Sequence, residues 1–189
     1  PPISLKTPAG RPVCWEVCQT LNNSFGYTAD DHDYKDAQTC IRQLAECVSK
    51  SGNYLLNISP DGNGSVSPET VTLFREIGRW MKYNGESIYG CQESPLPVSS
   101  FGCRVTARDN ILYLHVLQQP TGPLPLTGIR PQDIRYARIL SNGDEAQILT
   151  QGWAAQNYPD YTFISLAPRS NETQPLPDPA DTVVKIVLH

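Results

Sequence analysis

Glu16 lies in the run Cys14-Trp15-Glu16-Val17-Cys18-Gln19-Thr20-Leu21-Asn22-Asn23-Ser24-Phe25-Gly26-Tyr27, among aromatic and amide side chains, with no cation within ten residues on its C-terminal side. If such a carboxyl lines an apolar cleft, desolvation disfavours its charged form and raises its pKa, as a general acid working near neutral pH requires. The same residue types also suit a Glu that caps or salt-bridges a loop. Trp15 beside it can stack on a ligand or pack beneath the carboxylate, and spacing does not separate the two. Asn57 closes the run from Tyr54, at a place where an amide more often hydrogen-bonds loop backbone than substrate. His115 falls within a β-type run and reads as a packed or interfacial histidine. His32, in Asp30-Asp31-His32-Asp33, reads as a solvated loop residue.

Six cysteines, at 14, 18, 40, 47, 91 and 103, form no C-x-x-C pair and have no His at ligand spacing, so a zinc site has no support. Cys40 and Cys47 would lie roughly 10 Å apart along one helix, beyond disulfide reach, and read as small core residues. Cys91 and Cys103 flank a turn-rich stretch and could pair in an oxidising compartment. Sequons occur at Asn22, Asn57, Asn63 and Asn171. The first two sit in motifs expected to be buried, which leaves Asn63 and Asn171 as acceptors.

The elements that must position these residues follow from periodicity. Between Asp36 and Lys50, Ala37, Cys40, Ile41, Leu44, Cys47 and Val48 fall at three- and four-residue steps, which predicts a one-faced helix with Gly52 as its stop. Residues 53–58 form a short apolar run without alternation, as in a parallel strand covered on both faces, and Pro60-Asp61-Gly62-Asn63-Gly64 ends it. Ser67 and Pro68 then read as cap and first-turn proline of a helix with the stripe Leu73, Phe74, Ile77, Trp80 and Met81. With another strand between Val13 and Thr20, this order demands a parallel α/β sheet whose remaining strands lie upstream. Beyond Pro95 the chain turns Pro-rich, with short β-type runs at 103–107, 111–117, 134–140, 146–149, 161–166 and 182–188, the pattern of a β-sandwich. The expected division is 1–92 for the α/β part and 93–189 for the sandwich.

In 189 residues, 39% apolar and 18% charged, there is enough material for a real core, so the bulk of the chain is not disordered. A formal charge of −4 and the lack of any basic block argue against a nucleic-acid partner, and no apolar run approaches the roughly 20 residues that span a bilayer.

Three ordered runs carry a resemblance: WEVCQTLNNSFGY from Trp15 to Tyr27, VSKSGNYLLNISP from Val48 to Pro60, and FREIGRWMKYNGESIYG from Phe74 to Gly90. Together they resemble family 29 of the glycoside hydrolases, the α-L-fucosidases, closely over about 13–90 and more loosely beyond. The resemblance implies an irregular (β/α)8 barrel followed by a β-sandwich, of which this chain would be the closing barrel segments and the sandwich. It implies retaining hydrolysis of terminal α-L-fucose by two carboxylates, with no cofactor and no metal. The family's nucleophilic Asp lies on an earlier strand, and none of Asp30, Asp31, Asp33 or Asp36 occupies its motif. The chain alone is therefore expected to be inactive, with the N-terminal part of the same enzyme, separate or missing, as its partner. Glu16 matches a Glu assigned as acid/base in some members, while others use a Glu on a loop just upstream. Phe25 matches an aromatic position, often Trp, that suits the C5 methyl of fucose, and Trp15 joins it as a substrate-binding candidate. Ser51 and Ser59 stand where the family frequently has Gly. The resemblance further implies a secreted, periplasmic or lysosomal setting and leaves room for a homo-oligomer. The rival readings are a non-catalytic carbohydrate-binding module built on the sandwich and an inactive homologue.

Overall fold

The computed structural model describes residues 5–97, 102–167 and 174–189. Along the chain run strand β1 (Glu16–Thr20), helix α1 (Ala37–Val48), strand β2 (Asn53–Asn57) and helix α2 (Pro68–Asn84), then a 3-10 turn at Gly85–Ser87. Strands β3 (Gln92–Glu93), β4 (Cys103–Arg108), β5 (Ile111–Val116), β6 (Leu124–Thr127), β7 (Ile134–Ile139) and β8 (Gln147–Leu149) follow. Helix α3 (Trp153–Asn157), strand β9 (Tyr161–Ser165) and strand β10 (Thr182–Leu188) complete the order. The sequon at Asn171 lies outside the described residues.

Helix α1 begins where Asp36 caps it: the carboxylate accepts the Thr39 N–H at 2.7 Å, and its hydrogen bonds with Thr39 hold the Asp36 carboxyl below its usual range. Cys40, Ile41, Ala45, Cys47 and Val48 fill its buried face, so the two cysteines are core residues, and none of the six cysteines forms a disulfide. The expected stop at Gly52 comes one residue late. Ser51 takes the left-handed turn, with φ 55°, and Gly52 serves a different purpose. A Cβ on Gly52 would stand 2.2 Å from the Trp15 ring, so only glycine lets the indole lie against this turn.

Strands β1 and β2 pair in parallel, Glu16 opposite Asn53 and Thr20 opposite Asn57. One face carries Val17, Gln19, Tyr54 and Leu56 toward α1, where the Tyr54 hydroxyl donates to the Gln43 side-chain oxygen at 2.7 Å. Leu21, Cys40 and Leu73 form the core below, with Leu56 packed against them. The other face carries Glu16, Cys18 and Leu55, all exposed, so the double coverage expected of β2 is not found among the described residues. Phe74 of the α2 stripe is exposed too, because the helix turns Leu73, Ile77 and Trp80 inward instead.

The remainder is a sandwich. A five-stranded sheet ordered β3-β4-β5-β10-β7 faces a three-stranded sheet ordered β6-β9-β8, all pairings antiparallel. Val105, Leu112, Leu114, Ile139, Val184 and Ile186 of the first meet Leu124, Leu126 and Ile164 of the second in one core. Strand β6 falls within 119–131, which reads as a Pro- and Gly-rich connection. Pro125, which has no N–H, is accommodated because β6 is an edge strand.

The sandwich is bolted to α2. Trp80, 4% exposed, packs with Tyr113 and Val183, and its indole N–H donates 2.8 Å to the Asp181 carbonyl. The Asp181 carboxylate meets His115 Nδ1 at 2.6 Å, with both side chains fully buried. On the other side of the ring, His115 Nε2 lies 3.2 Å from the Thr106 hydroxyl, which spends its only proton on the Ser87 carbonyl at 2.7 Å. Thr106 therefore accepts from Nε2–H, and a single proton bridges Nδ1 and Asp181. His115 is thus the interfacial histidine its position suggests. At the rim Lys185 donates to Glu86 at 2.9 Å, and Glu46 on α1 pairs with both Lys50 and Arg104 of β4.

Removing one member of a fully buried pair leaves the other uncompensated, so Asp181→Ala should lose about 3–5 kcal/mol of unfolding free energy in urea titrations. Glu46 gives a pH-dependent contrast. Burial alone would raise its pKa, but Lys50 and Arg104 hold the carboxyl below its usual range. Its contribution is therefore present at neutral pH and lost as pH falls through the folded-state value. Glu46→Gln should cost about 1 kcal/mol at pH 7 and nothing measurable once that carboxyl is protonated, as read by denaturation midpoints across pH.

Candidate functional site

The C-terminal ends of β1 and β2 come together in a loop fixed by its own polar groups. Beyond Thr20, Leu21 anchors in the core and Asn22 is buried, while the Lys35 ammonium donates 2.6 Å to the Thr20 carbonyl. Asn23 is held by Asp31, whose carboxylate accepts its backbone N–H at 2.9 Å. Asn57, at the tip of β2, donates its amide to the Phe25 carbonyl at 2.6 Å and to the Ser59 hydroxyl at 2.8 Å. Ser59 in turn donates to the same Phe25 carbonyl at 3.0 Å. The Phe25 carbonyl is therefore held by two side chains while the residue remains 60% exposed. An aromatic side chain presented in this way, at the loop end of parallel strands, offers an exposed apolar surface on a fixed backbone.

Ser59 was not singled out as a site residue from sequence alone. The available signal was its departure from the family's Gly: with φ 45° it occupies a left-handed backbone that glycine adopts without strain. Ser51 repeats the arrangement at the other end of β2. It combines φ 55° with a hydroxyl that accepts the Glu93 N–H at 3.0 Å. At both places serine accepts a backbone strain of about 1–2 kcal/mol and gains a clip that glycine lacks.

Glu16 stands elsewhere. It is the first residue of β1, four residues before the strand's C-terminal end, which is roughly 13 Å along the strand from the Phe25 loop. Its side chain is exposed and has no hydrogen-bond or ion-pair partner among the described residues. Trp15 precedes it with its indole turned to α1, the ring against Gly52 and Nε1 donating 3.0 Å to the Lys50 carbonyl. Of the two readings of Trp15, this geometry matches packing beneath the strand. It lines a cavity of about 210 Å³ with Val17, Gln19, Gln43 and Tyr54, on the face opposite Glu16. The structure brings Phe25, Asn57 and Ser59 together and leaves Glu16 and Trp15 at the far end of the strand pair. His32 is exposed in its loop, and no group of three or more His, Cys, Asp or Glu able to hold a metal exists among the described residues. No helix there is long and apolar enough to cross a membrane.

Comparison with known proteins gives the same family throughout. The pattern of the α-L-fucosidase family matches residues 5–86. An α-L-fucosidase of Branchiostoma floridae is 32% identical over 147 residues, covering 75% of this chain and 30% of its own length. The plasma α-L-fucosidase of Homo sapiens is 41% identical over 81 residues, covering 41% of this chain and 17% of its own length. Among solved structures, α-L-fucosidase isoenzyme 1 from Paenibacillus thiaminolyticus superposes with a TM-score of 0.90 and 41% identity, over 100% of this chain and 43% of that one. The chain thus spans less than half the length of each of these proteins. Its architecture is the C-terminal segments of an irregular (β/α)8 barrel followed by a β-sandwich. Sequence and fold agree, and the chain belongs to the α-L-fucosidase family, glycoside hydrolase family 29.

Proposed function

We propose that this chain is the C-terminal part of a retaining exo-α-L-fucosidase that removes terminal fucose from glycoconjugates, in a secreted, periplasmic or lysosomal compartment. Residues 1–92 act as the closing barrel segment and 93–189 as the sandwich that supports it. The observation that carries the reading is the clamped, exposed Phe25 at the C-terminal ends of β1 and β2, the end at which barrels of this kind hold their substrates. The ring faces the 6-deoxy sugar, whose C5 methyl is more favourably placed against an aromatic wall than in water. The loop's clamps keep that wall in place as the sugar distorts toward its transition state.

In this reading an Asp donated by polypeptide outside residues 1–189 attacks the anomeric carbon, and a second carboxyl protonates the leaving oxygen and then activates water. Residues 1–15 hold no Glu, so Glu16 is the one of the family's two acid/base positions that this chain could supply, and its place at the start of β1, away from the Phe25 loop, favours a carboxyl outside residues 1–189 for that role. Trp15 then packs beneath the strand rather than touching sugar, and Glu16 stays outside the pocket. The remainder of the barrel is a necessary partner, and fucosylated glycans are the substrate class.

The test uses the protein in which this segment is joined to the rest of its barrel, with an aryl α-L-fucoside as substrate and the first-formed fucose anomer read by NMR. Turnover releasing the α anomer is expected, and its absence, or release of the β anomer, would refute the proposal. Phe25→Ala should lower kcat/KM by about 10- to 100-fold, the loss of about 1.4–2.8 kcal/mol of transition-state contact. Glu16→Gln should stay within about 3-fold of the parent, whereas a loss of about 1000-fold or more, restored by azide, would return the acid/base role to Glu16.

A further inference from the structure

The outer face of the three-stranded sheet carries an aromatic group that neither the core nor the proposed pocket uses. On β9, Thr162 and Ile164 point into the sandwich, so Tyr161 and Phe163 point out of it. Their rings stack at 6.1 Å with 29° between planes. Tyr158 stands edge-on to both, at 6.1 and 6.4 Å, and Trp153 at the start of α3 stands edge-on to Tyr158 at 5.7 Å. Each ring is braced by another, and the Asn157 amide donates 2.8 Å to the Trp153 carbonyl, which fixes the turn carrying the indole. Trp153 is nevertheless 70% exposed, and Tyr158 and Tyr161 are exposed beside it.

The chemistry around these rings is selective. The chain has 15 Lys and Arg and 19 Asp and Glu, yet Asp160 is its one acidic or basic residue between 146 and 167. The polar groups there are amides and hydroxyls, Gln151, Gln156, Asn157 and Thr127 among them. Aromatic planes bordered by amides, hydroxyls and the single carboxylate of Asp160 match a pyranose, which offers an apolar C–H face and a rim of hydroxyls. They match anionic ligands poorly. Pre-braced rings also lose little side-chain entropy on binding.

We infer that Trp153, Tyr158 and Tyr161 form a second glycan-binding platform, separate from the sugar-cleaving pocket, whose ligand is a neutral pyranose oligosaccharide. The platform stands on the sandwich geometry alone. If the catalytic reading also holds, it grips the glycan core while the fucose is removed elsewhere.

N-acetyllactosamine is the probe, because it lacks fucose and the proposed pocket has nothing to cleave in it. Saturation-transfer NMR on the complete protein should show ring-proton contacts with a saturable, millimolar-range response. Trp153→Ala should weaken that response at least 10-fold, Trp153→Phe should retain part of it, and Phe25→Ala should leave it unchanged. Because Trp153 is solvent-exposed, its variants should keep the parent's thermal midpoint. No saturation transfer, or equal transfer with Trp153→Ala, would overturn the platform. So would a concentration-dependent mass change that disappears with Trp153→Ala, which would make the face a contact between copies of the chain. Loss of the response with Phe25→Ala would place the sugar in the catalytic pocket instead. None of these results depends on fucoside turnover, so the platform and the catalytic reading can fail independently.

Discussion

Asp181 is the point at which the two halves of the chain become one body. Its carbonyl accepts the Trp80 indole from α2, and its carboxylate meets the His115 ring from β5, both out of reach of water. A buried carboxylate is tolerated only when paired and hydrogen-bonded, and here His115 supplies that pairing inside the sandwich while the Trp80 indole, on the Asp181 carbonyl, makes the crossing from the helix of the barrel segment. The chain through Thr106 to the Ser87 carbonyl extends the network to the turn that ends α2. The sandwich is therefore more than an appendage. It fixes α2, α2 shares the Leu21 and Cys40 core, and that core seats the first residues after β1.

From that seat the loop can be built with little further burial. Leu21 is anchored, Asn22 is enclosed, and Asn57 and Ser59 reach across from β2 to clamp the Phe25 carbonyl. The loop thus presents an aromatic surface by holding its backbone, which leaves the ring free to meet a ligand. The serines at 51 and 59 show the compromise at each end of β2: a left-handed backbone that costs energy, and a hydroxyl that restores some of it by bonding a distant segment.

Much of this was legible in the sequence, and the exceptions have physical reasons. The stripes of α1 and α2, the Ser67 cap and most sandwich strands follow from local sequence, which depends on neighbours in the chain, whereas the Asp36 cap of α1 was read only from the structure. Strand β6 was hidden by Pro125, because a proline forbids a central strand and only the finished sheet reveals an edge. Helix α3 is a single short turn with no amphipathic period to detect. The place of Glu16 was hidden for another reason. Whether it opens or closes its strand is decided by pairing with Asn53, and the side to which Trp15 turns is decided by the missing Cβ of Gly52. Both are contacts between residues more than thirty positions apart, where periodicity carries no information.

The most direct test of the Asp181 joint is native-state hydrogen exchange across increasing urea, followed at the amides of α2 around Trp80 and of β10 from Val183 to Ile186. If the buried network makes one cooperative unit, both sets open with the same free energy, within about 0.5 kcal/mol, and the same urea dependence. If α2 exchanges through an opening about 2 kcal/mol or more cheaper than that of β10, the barrel segment and the sandwich are separate units and Asp181 does not join them.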